Sequence, residues 1–283
     1  MTSGEAGLDL HHERGGVRGH VRITRTARRR GVVHLLDCWP QVARQIKSAG
    51  HIALFLDFDG TLTRLRPLPE DVPPLNQRTR GLLQRLASRP RLEVWVISGR
   101  RLSDLRSRLR VRAIHPLGLH GWEGRGVPPL HRERGVVQRA KQQLRARLAK
   151  MARIWLEDKK LGLAVHFRGA LPAEVRAARL SVRGVLEQFK PQLRLLEGKK
   201  VWELFPTTVG GKGLAVRRLL MRRRRSPLPI FVGDDSTDEA AFAAMPRGIT
   251  VHVGGRRSTQ ARFYLRNPGE VLTFLERLEA EIA

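Results

Sequence analysis

The chain contains five apolar runs that each end in a polar loop, a pattern typical of strands in a buried sheet. The runs lie at residues 52–57, 92–97, 117–121, 229–235 and 249–254. Because their apolar residues are continuous rather than alternating, the longer runs indicate strands that are covered on both faces. Residues 76–88 and 101–109 stand between strands and have apolar positions at helical spacing. This alternation of strands and helices favours a parallel sheet with right-handed crossovers.

The stretch from residue 123 to residue 205 has a different pattern and predicts a second domain inserted into the first. A long helix rich in Arg and Gln is followed, at residues 161–168 and 201–205, by alternating apolar and polar positions. Such alternation predicts strands with one exposed face, and Trp155 and Trp202 are predicted to lie in the core of this domain. The expected divisions are a basic flexible tail, a catalytic core and an inserted α/β cap, at residues 1–32, 33–122 with 206–283, and 123–205.

The composition is that of a globular protein without a membrane or secretory segment. With 41% hydrophobic residues among 283, the chain can bury one large or two modest cores. No apolar run approaches the roughly 20 residues that span a bilayer, and the N-terminus lacks the apolar stretch of a secretory signal. The single cysteine, Cys38, excludes an internal disulfide, so we expect a cytoplasmic protein.

The net charge of +28 invites a nucleic-acid interpretation, but its distribution does not favour one. Only nine of the 54 basic residues are lysines, and the arginines are spread along the whole chain, with clusters at residues 28–30 and 222–225. A compositional drift towards arginine gives the same distribution. Positive potential also attracts small anionic substrates such as a sugar phosphate. We therefore do not predict specific nucleic-acid binding from the charge.

Two aspartates follow directly on the first strand, in the sequence Asp57-Phe58-Asp59-Gly60-Thr61. In an open α/β sheet, the carboxyl ends of the strands are where ligands bind. The first carboxylate can attack phosphorus or hold a metal ion, and the second can transfer a proton. Because Asp-x-Asp-Gly is also typical of a plain turn, the functional interpretation depends on what the other strands deliver to the same edge.

Three further polar segments are predicted at that edge. Ser98 ends the second strand, and Asp234 and Asp235 end a later one. Lys212 lies in Gly210-Gly211-Lys212-Gly213, which opens a helix whose N-terminus favours anions. Each segment alone has an ordinary alternative, namely a turn, a solvated lysine or a helix cap. Together they predict one phosphate- and metal-binding site.

These motifs resemble those of the haloacid-dehalogenase-like phosphatases, and more narrowly those of the trehalose-6-phosphate phosphatases. The resemblance implies a Rossmann-like parallel sheet core of the haloacid-dehalogenase type with an inserted α+β cap domain, and it covers roughly residues 50–280. It is carried by Asp57-Phe58-Asp59-Gly60-Thr61, Ile97-Ser98-Gly99-Arg100, Gly118-x-His120-Gly121, Glu157-Asp158-Lys159, Val165-His166-Phe167-Arg168, Gly198-Lys199-x-x-x-Glu203-Leu204-x-Pro206, Lys212 and Gly233-Asp234-Asp235-Ser236-Thr237-Asp238-Glu239.

The resemblance also implies roles for individual residues. Asp57 is expected to attack phosphorus, and Asp59 to protonate the leaving oxygen and then activate water. Ser98 and Lys212 are expected to bind the phosphoryl oxygens, and Lys212 together with Mg²⁺ to keep Asp57 ionised. A Mg²⁺ ion is expected on Asp57, the backbone carbonyl of Asp59, and Asp234, with Asp238 acting through the water molecules of the ion.

The cap residues are expected to select the sugar. The candidates are His120 from the core and, from the cap, Glu157, Lys159, His166, Arg168, Lys199 and Glu203. The expected reaction is Mg²⁺-dependent hydrolysis of trehalose 6-phosphate to trehalose and phosphate in trehalose biosynthesis, with a functional link to a trehalose-phosphate synthase. Two alternatives stay open. One is another capped sugar phosphatase, acting on sucrose phosphate or a mannosyl phosphoglycerate, and the other is a non-catalytic, nucleic-acid-associated protein on the same scaffold.

Overall fold

The computed structural model describes residues 31–124, 131–221, 226–255 and 258–283. The predicted tail therefore lies almost wholly outside the described residues, as do both arginine clusters. The strands are β1 (Val33–His34), β2 (Ile52–Leu56), β3 (Leu92–Ile97), β4 (His115–Leu117), β5 (Trp155–Asp158), β6 (Leu163–His166), β7 (Leu193–Gly198), β8 (Val201–Pro206), β9 (Leu228–Gly233), β10 (Ile249–Val253) and β11 (Phe263–Leu265). The helices are α1 (Trp39–Ser48), α2 (Gln77–Ala87), α3 (Leu102–Leu109), α4 (His131–Leu148), α5 (Pro172–Gln188), α6 (Lys212–Met221), α7 (Glu239–Ala243) and α8 (Pro268–Glu281).

The larger sheet has seven parallel strands in the order β1-β11-β10-β9-β2-β3-β4. All five residues of the central strand β2 are buried, since helices cover both faces. Helices α1, α2, α3 and α8 share one hydrophobic cluster with the sheet, while α6 and α7 share the other. The predicted parallel α/β core is confirmed, and its strand order brings the ends of β2, β3 and β9 together.

The helix predicted from residue 76 begins as its capping residue requires. The side chain of Asn76 accepts a hydrogen bond from the backbone N–H of Thr79 at 2.8 Å, which satisfies one of the N–H groups left free at a helix start. Leu82, Leu83 and Leu86 of this helix are buried against the sheet. This helix fixes the position of the loop that carries Ser98, because α2 packs on β3.

The second sheet is antiparallel, with the order β5-β6-β8-β7, and lies in the chain between β4 and β9. On one of its faces Leu163, Val165, Trp202 and Leu204 pack in a cluster shared with α4 and α5. The alternate positions of the same strands form the opposite face, which carries His166 and Glu203 among apolar side chains. We call this second sheet with α4 and α5 the cap. Both sheets belong to one compact unit of residues 32–283, and the domain limits at residues 123 and 205 stay a prediction.

One prediction about the core of the cap is wrong. Trp202 is 4% exposed, but Trp155 is 36% exposed. Trp155 pairs with His166 across β5 and β6, and β5 is the edge strand of its sheet. Strand β5 therefore has no further strand beside it, and the Trp155 ring lies on the face of the cap that carries His166 and Glu203.

The third strand begins earlier than predicted. Strand β4 covers His115–Leu117, and the exit loop predicted after it contains a short 3₁₀ turn at residues 119–121. Leu119 and His120 have positive φ angles of 49° and 56° within this turn, a conformation that non-glycine residues adopt only with support from surrounding contacts. The turn places the His120 ring at the carboxyl edge of the sheet. Among the described residues, none of the helices combines the length and the apolar composition needed to cross a bilayer.

Candidate active site

The predicted catalytic side chains converge at the carboxyl edge of the larger sheet. Asp57 follows β2, Ser98 follows β3 and Asp234 follows β9, and these strands are neighbours. Lys212 enters the same place from the first turn of α6. All four side chains are buried. The edge thus combines carboxylates, a hydroxyl and an ammonium group in a site largely withdrawn from bulk water.

Three carboxylates form a cluster at the floor of this site. Ligand oxygens of Asp57, Asp234 and Asp238 all lie within 4.8 Å of one another. The Lys212 ammonium group donates to Asp57 Oδ1 and to Asp238 Oδ1, each at 2.7 Å. The other oxygen of Asp238 accepts from the backbone N–H of Asp235 at 2.9 Å. Because protein donors occupy both oxygens of Asp238, this residue is suited to act on a cation indirectly, by holding Lys212 and the loop.

The chain approaches the cluster so closely that only glycine fits. Gly60 has a φ of +85°, and a Cβ built on it would lie 2.2 Å from Asp234 Oδ2. Gly233 is equally tight, since its Cβ would lie 2.4 Å from the carboxyl carbon of Asp238. The two glycines therefore leave room for the carboxylates and for a small ion among them. Hard oxygen donors in this arrangement fit a divalent cation such as Mg²⁺.

The protonation states of the cluster reflect a deficit of positive charge. Burial raises the pKa of Asp57 well above its usual value, against the lowering effect of Lys212. Burial also raises the pKa of Asp234 to about 6, against the effect of Lys199. Although burial alone lowers the pKa of Lys212, Asp238 and Asp57 raise it above its ordinary value. Lys212 lowers the pKa of Asp57 without offsetting burial, and a bound cation would favour the ionised form further, in line with the expectation that Lys212 and Mg²⁺ act together.

Gly60→Ala tests whether the close approach of Gly60 to the Asp234 carboxylate supports ion binding. The new Cβ would push the Asp234 carboxylate aside and would strain a backbone that glycine adopts freely. We expect the Mg²⁺ concentration needed for half-maximal stabilisation against thermal unfolding to rise at least about tenfold, since a displaced carboxylate is a lost charged ligand. Titration of Tm with MgCl₂ measures the change. Gly50→Ala is the matched control, because no atom lies within 4 Å of its Cβ position. Equal metal dependence of both variants would contradict the hypothesis that Gly60 leaves room for Asp234 to hold the ion.

The Asp59 side chain lies apart from the cluster and pairs with a residue that the sequence analysis did not assign to the site. Arg100 donates to both oxygens of Asp59 at 2.7 Å, to Asp104 at 2.6 Å and to the backbone carbonyl of Pro69 at 2.8 Å. Arg100 belongs to the same motif as Ser98, so the sequence predicts that it lies near the edge of the sheet. The sequence does not predict its pairing with Asp59, because that contact joins residues 41 positions apart.

Several polar contacts join the cap to the core around the site, and three of them involve predicted sugar-binding side chains. Lys159 donates to the Gly99 carbonyl at 3.0 Å, and Glu203 pairs with His120 at 2.7 Å. Lys199 reaches Asp234 at 2.5 Å. The sequence analysis assigned these cap residues to sugar binding, and the structure brings them to the same edge as the catalytic candidates.

Glu203 is the centre of the cap contacts. It is buried and pairs with Lys159 as well as with His120. Burial opposes its ionisation, but the charges of Lys159 and His120 outweigh burial and hold the pKa of Glu203 far below its usual value. Glu203 is therefore a fixed anion, able to accept hydrogen bonds from hydroxyl groups.

The remaining candidates lie further along the same face of the cap. Glu157 pairs with His166 at 2.9 Å, and Arg168 donates to the Lys199 carbonyl at 3.3 Å. A cavity of about 340 Å³ separates the cap face from the core edge. Apart from Asp238, which lies behind Lys212, every predicted site residue lines this cavity: Asp57, Asp59, Ser98, His120, Glu157, Lys159, Arg168, Lys199, Glu203, Lys212 and Asp234.

Comparison with known proteins assigns the family. The sequence model described as Trehalose-phosphatase matches residues 55–268, which span most of both core segments and the whole cap. The chain belongs to the trehalose-phosphatase family. It is 34% identical over 247 residues to the trehalose-phosphate phosphatase of Mycobacterium ulcerans, and 35% identical over 246 residues to that of Mycobacterium tuberculosis. These matches cover 82% and 81% of this chain but 62% of each relative, so the chain spans about three fifths of their length.

Solved structures agree with this family assignment at the level of the fold. The C-terminal domain of Candida albicans trehalose-6-phosphate phosphatase matches with a TM-score of 0.75 at 22% identity, covering 86% of this chain and 98% of that one. The Aspergillus fumigatus trehalose-6-phosphate phosphatase matches with a TM-score of 0.64 at 25% identity, covering 88% and 99%. The larger parallel sheet with its inserted cap is thus the architecture of the trehalose-phosphatase family.

Proposed function

We propose that this member of the trehalose-phosphatase family hydrolyses trehalose 6-phosphate to trehalose and inorganic phosphate. The observation that carries the proposal is the cavity, in which a phosphatase-type acidic cluster with Lys212 faces a cap surface of charged hydrogen-bonding groups. The named activity of the relatives supports the same reaction. The substrate implies that another enzyme supplies it, and a functional link to a trehalose-phosphate synthase is part of this proposal.

The first half of the reaction uses Asp57 as the nucleophile. One of its carboxylate oxygens attacks phosphorus, the bond between phosphorus and the sugar oxygen breaks, and an aspartyl phosphate forms. Asp59 donates a proton to the departing sugar oxygen. Lys212 stabilises charge on Asp57 and the phosphoryl oxygens, and the Ser98 hydroxyl donates to one of those oxygens.

The second half returns the enzyme to its starting state. Asp59, now ionised, takes a proton from water, whose oxygen attacks phosphorus. The bond from phosphorus to Asp57 breaks and inorganic phosphate is released. For both proton transfers the Asp59 carboxyl must turn from Arg100 towards the reacting oxygen. We infer that the Arg100 pair holds the resting orientation of Asp59 and keeps it beside the cavity.

Mg²⁺ fits this site as the cofactor of the reaction. The Asp57 and Asp234 carboxylates and the backbone carbonyl of Asp59 would hold it, with Asp238 acting through Lys212 and ordered water. Bound there, the ion supplies positive charge that neutralises the phosphoryl group and orients it for in-line attack. It would also oppose the effect of burial, which raises the pKa values of Asp57 and Asp234.

The cap supplies the groups that distinguish one sugar phosphate from another. Glu157 and Glu203 accept hydrogen bonds from hydroxyls, and Lys159, Lys199 and Arg168 donate them. His120 holds Glu203 from the core side. A cavity with this many charged groups discriminates strongly, because a substrate that lacks the matching hydroxyls leaves buried charges without partners.

Phosphate release from a panel of substrates tests the proposal. The panel contains trehalose 6-phosphate, sucrose 6-phosphate, a mannosyl phosphoglycerate and glucose 6-phosphate, each assayed with Mg²⁺ and with EDTA. We expect kcat/KM for trehalose 6-phosphate to exceed the other values at least about 100-fold, which corresponds to one or two lost hydrogen bonds to charged groups. EDTA is expected to reduce every rate to background, and added Mg²⁺ to restore it.

Other outcomes would assign a different function. Preference for sucrose 6-phosphate or the mannosyl compound would keep the chemistry and change the sugar. Absence of turnover on every substrate would favour the non-catalytic alternative, and salt-sensitive binding to unrelated DNA that is lost on deleting residues 1–32 would support it. The site itself argues against that alternative, because it buries the charged groups of Asp57, Lys212 and Asp234. Burying charge costs folding free energy, and a protein without catalysis would not benefit from it.

A further inference from the structure

Two apolar side chains line the cavity beside its charged groups. They are Trp155 from the cap and Leu65 from the core loop that follows the Asp59 motif. Both are exposed, at 36% and 44%. An exposed aromatic side chain that lines a cavity is available to contact a ligand bound there. The catalytic scheme above uses neither residue.

The Trp155 ring is held in a fixed orientation by its neighbour. It stacks on the imidazole of His166 with ring centroids 4.1 Å apart and planes 8° from parallel. His166 is itself fixed, because Glu157 pairs with its Nε2 at 2.9 Å. Trp155 and His166 are also directly opposite across β5 and β6. The indole is thus a preorganised flat surface rather than a loose exposed side chain.

The spacing of residues along β5 places Trp155 away from the end of the strand that lies beside Ser98. Lys159 touches the Gly99 carbonyl next to Ser98 and therefore marks the phosphate end. Glu157 and Trp155 follow on the same face at intervals of two residues, about 7 Å apart along an extended strand. The face therefore presents two sites in order, a charged one at Lys159 and Glu157 and an aromatic one at Trp155.

We propose that Trp155, stacked on His166, is a subsite for the second sugar ring of a disaccharide phosphate, the ring that does not carry phosphate. The C–H faces of a pyranose ring are apolar and flat, so they pack on an indole much as they would on another ring. The first ring occupies the charged part of the cavity, and the second packs on the exposed face of the Trp155 indole. This subsite rests on the proposed function and names the side chain that contacts the second ring of its substrate.

Steady-state kinetics with a two-ring and a one-ring substrate test the subsite. Trp155→Ala is expected to raise KM for trehalose 6-phosphate about tenfold with kcat changed less than about twofold, since contacts to a remote ring act on binding. Its kcat/KM for glucose 6-phosphate and its inhibition by inorganic phosphate are expected to match wild type. Trp155→Phe keeps a flat ring and is expected to stay within about threefold of wild type. Leu180→Ala, at an exposed apolar residue of α5, is the control.

Three results would overturn the subsite. An equal loss with trehalose 6-phosphate, glucose 6-phosphate and inorganic phosphate would mean that Trp155 acts only by positioning His166 and Glu157. Unchanged kinetics of Trp155→Ala beside active wild type would remove the subsite and leave the proposed function intact. Absence of wild-type turnover of trehalose 6-phosphate would overturn the proposed function and the subsite together.

Discussion

Asp57→Asn is expected to lower kcat for phosphate release by about 10⁴-fold or more, because an amide cannot attack phosphorus in place of a carboxylate. The asparagine has the same shape and can still accept a hydrogen bond from Lys212, which now reaches Asp57 at 2.7 Å. The loss is therefore one of chemistry rather than of structure. Phosphate release with saturating trehalose 6-phosphate and Mg²⁺ measures it.

Thermal unfolding separates this effect from a folding defect. Burial raises the pKa of Asp57 above its unfolded value, so its ionised form costs stability at neutral pH, above that unfolded value. Asparagine removes this cost, and in metal-free buffer Tm of Asp57→Asn should be no lower than that of wild type. Added Mg²⁺ should raise Tm of wild type more than that of the variant. Asp158→Asn, at a carboxylate that pairs with Lys141 on the cap, is the control for activity. Retention of a hundredth of wild-type activity by Asp57→Asn would contradict the nucleophile assignment.

The central elements of the fold could be predicted because local pattern and tertiary environment agree there. Strand β2 is apolar at every position and lies in the middle of the sheet with both faces covered. The capping residue Asn76 and the buried stripe of Leu82, Leu83 and Leu86 define α2 in the same way. Because parallel strands place their carboxyl ends at one edge of the sheet, Asp57, Ser98 and Asp234 are predicted to lie at that edge.

Short and peripheral elements could not be predicted because pairing rather than composition creates them. Strand β1 has two residues and exists through its hydrogen bonds to β11, which has three. Strands β5 and β7 lie at the two edges of the cap sheet and carry mixed polar and apolar residues. Trp155 illustrates the consequence. Its size predicts burial, but its place on an edge strand beside the cavity leaves it exposed.

The candidate site, like the fold, could be predicted only in part from the sequence. Motifs select residue types for their chemistry, and they identified the acids, Lys212 and the cap candidates. They do not specify which charged groups pair when no substrate is bound. The Asp59–Arg100 pair and the link from Glu203 to His120 both join distant parts of the chain, and such partners are settled only by the folded geometry.

Lys212→Met is expected to reduce kcat by about 10³-fold, since it removes the ammonium group that pairs with Asp57 and that, in the proposed reaction, stabilises charge on the phosphoryl oxygens. The Lys212 side chain is 2% exposed and donates to both Asp57 and Asp238 at 2.7 Å. Methionine fills a similar volume without charge. The measurement is phosphate release across a range of Mg²⁺ concentrations, with Lys190→Met at an exposed ion pair of the cap as control.

The same substitution is expected to destabilise the protein at neutral pH by about 3–5 kcal/mol, because two buried carboxylates lose their shared cation. Lys212→Met combined with Asp238→Asn removes one of these carboxylates as well and should recover much of the lost Tm, since fewer buried charges then lack partners. Its activity should nevertheless stay low, because the charge beside Asp57 is still missing. If the double variant recovered activity together with stability, Lys212 would serve to hold the fold of the site, and its role in phosphoryl transfer would be refuted.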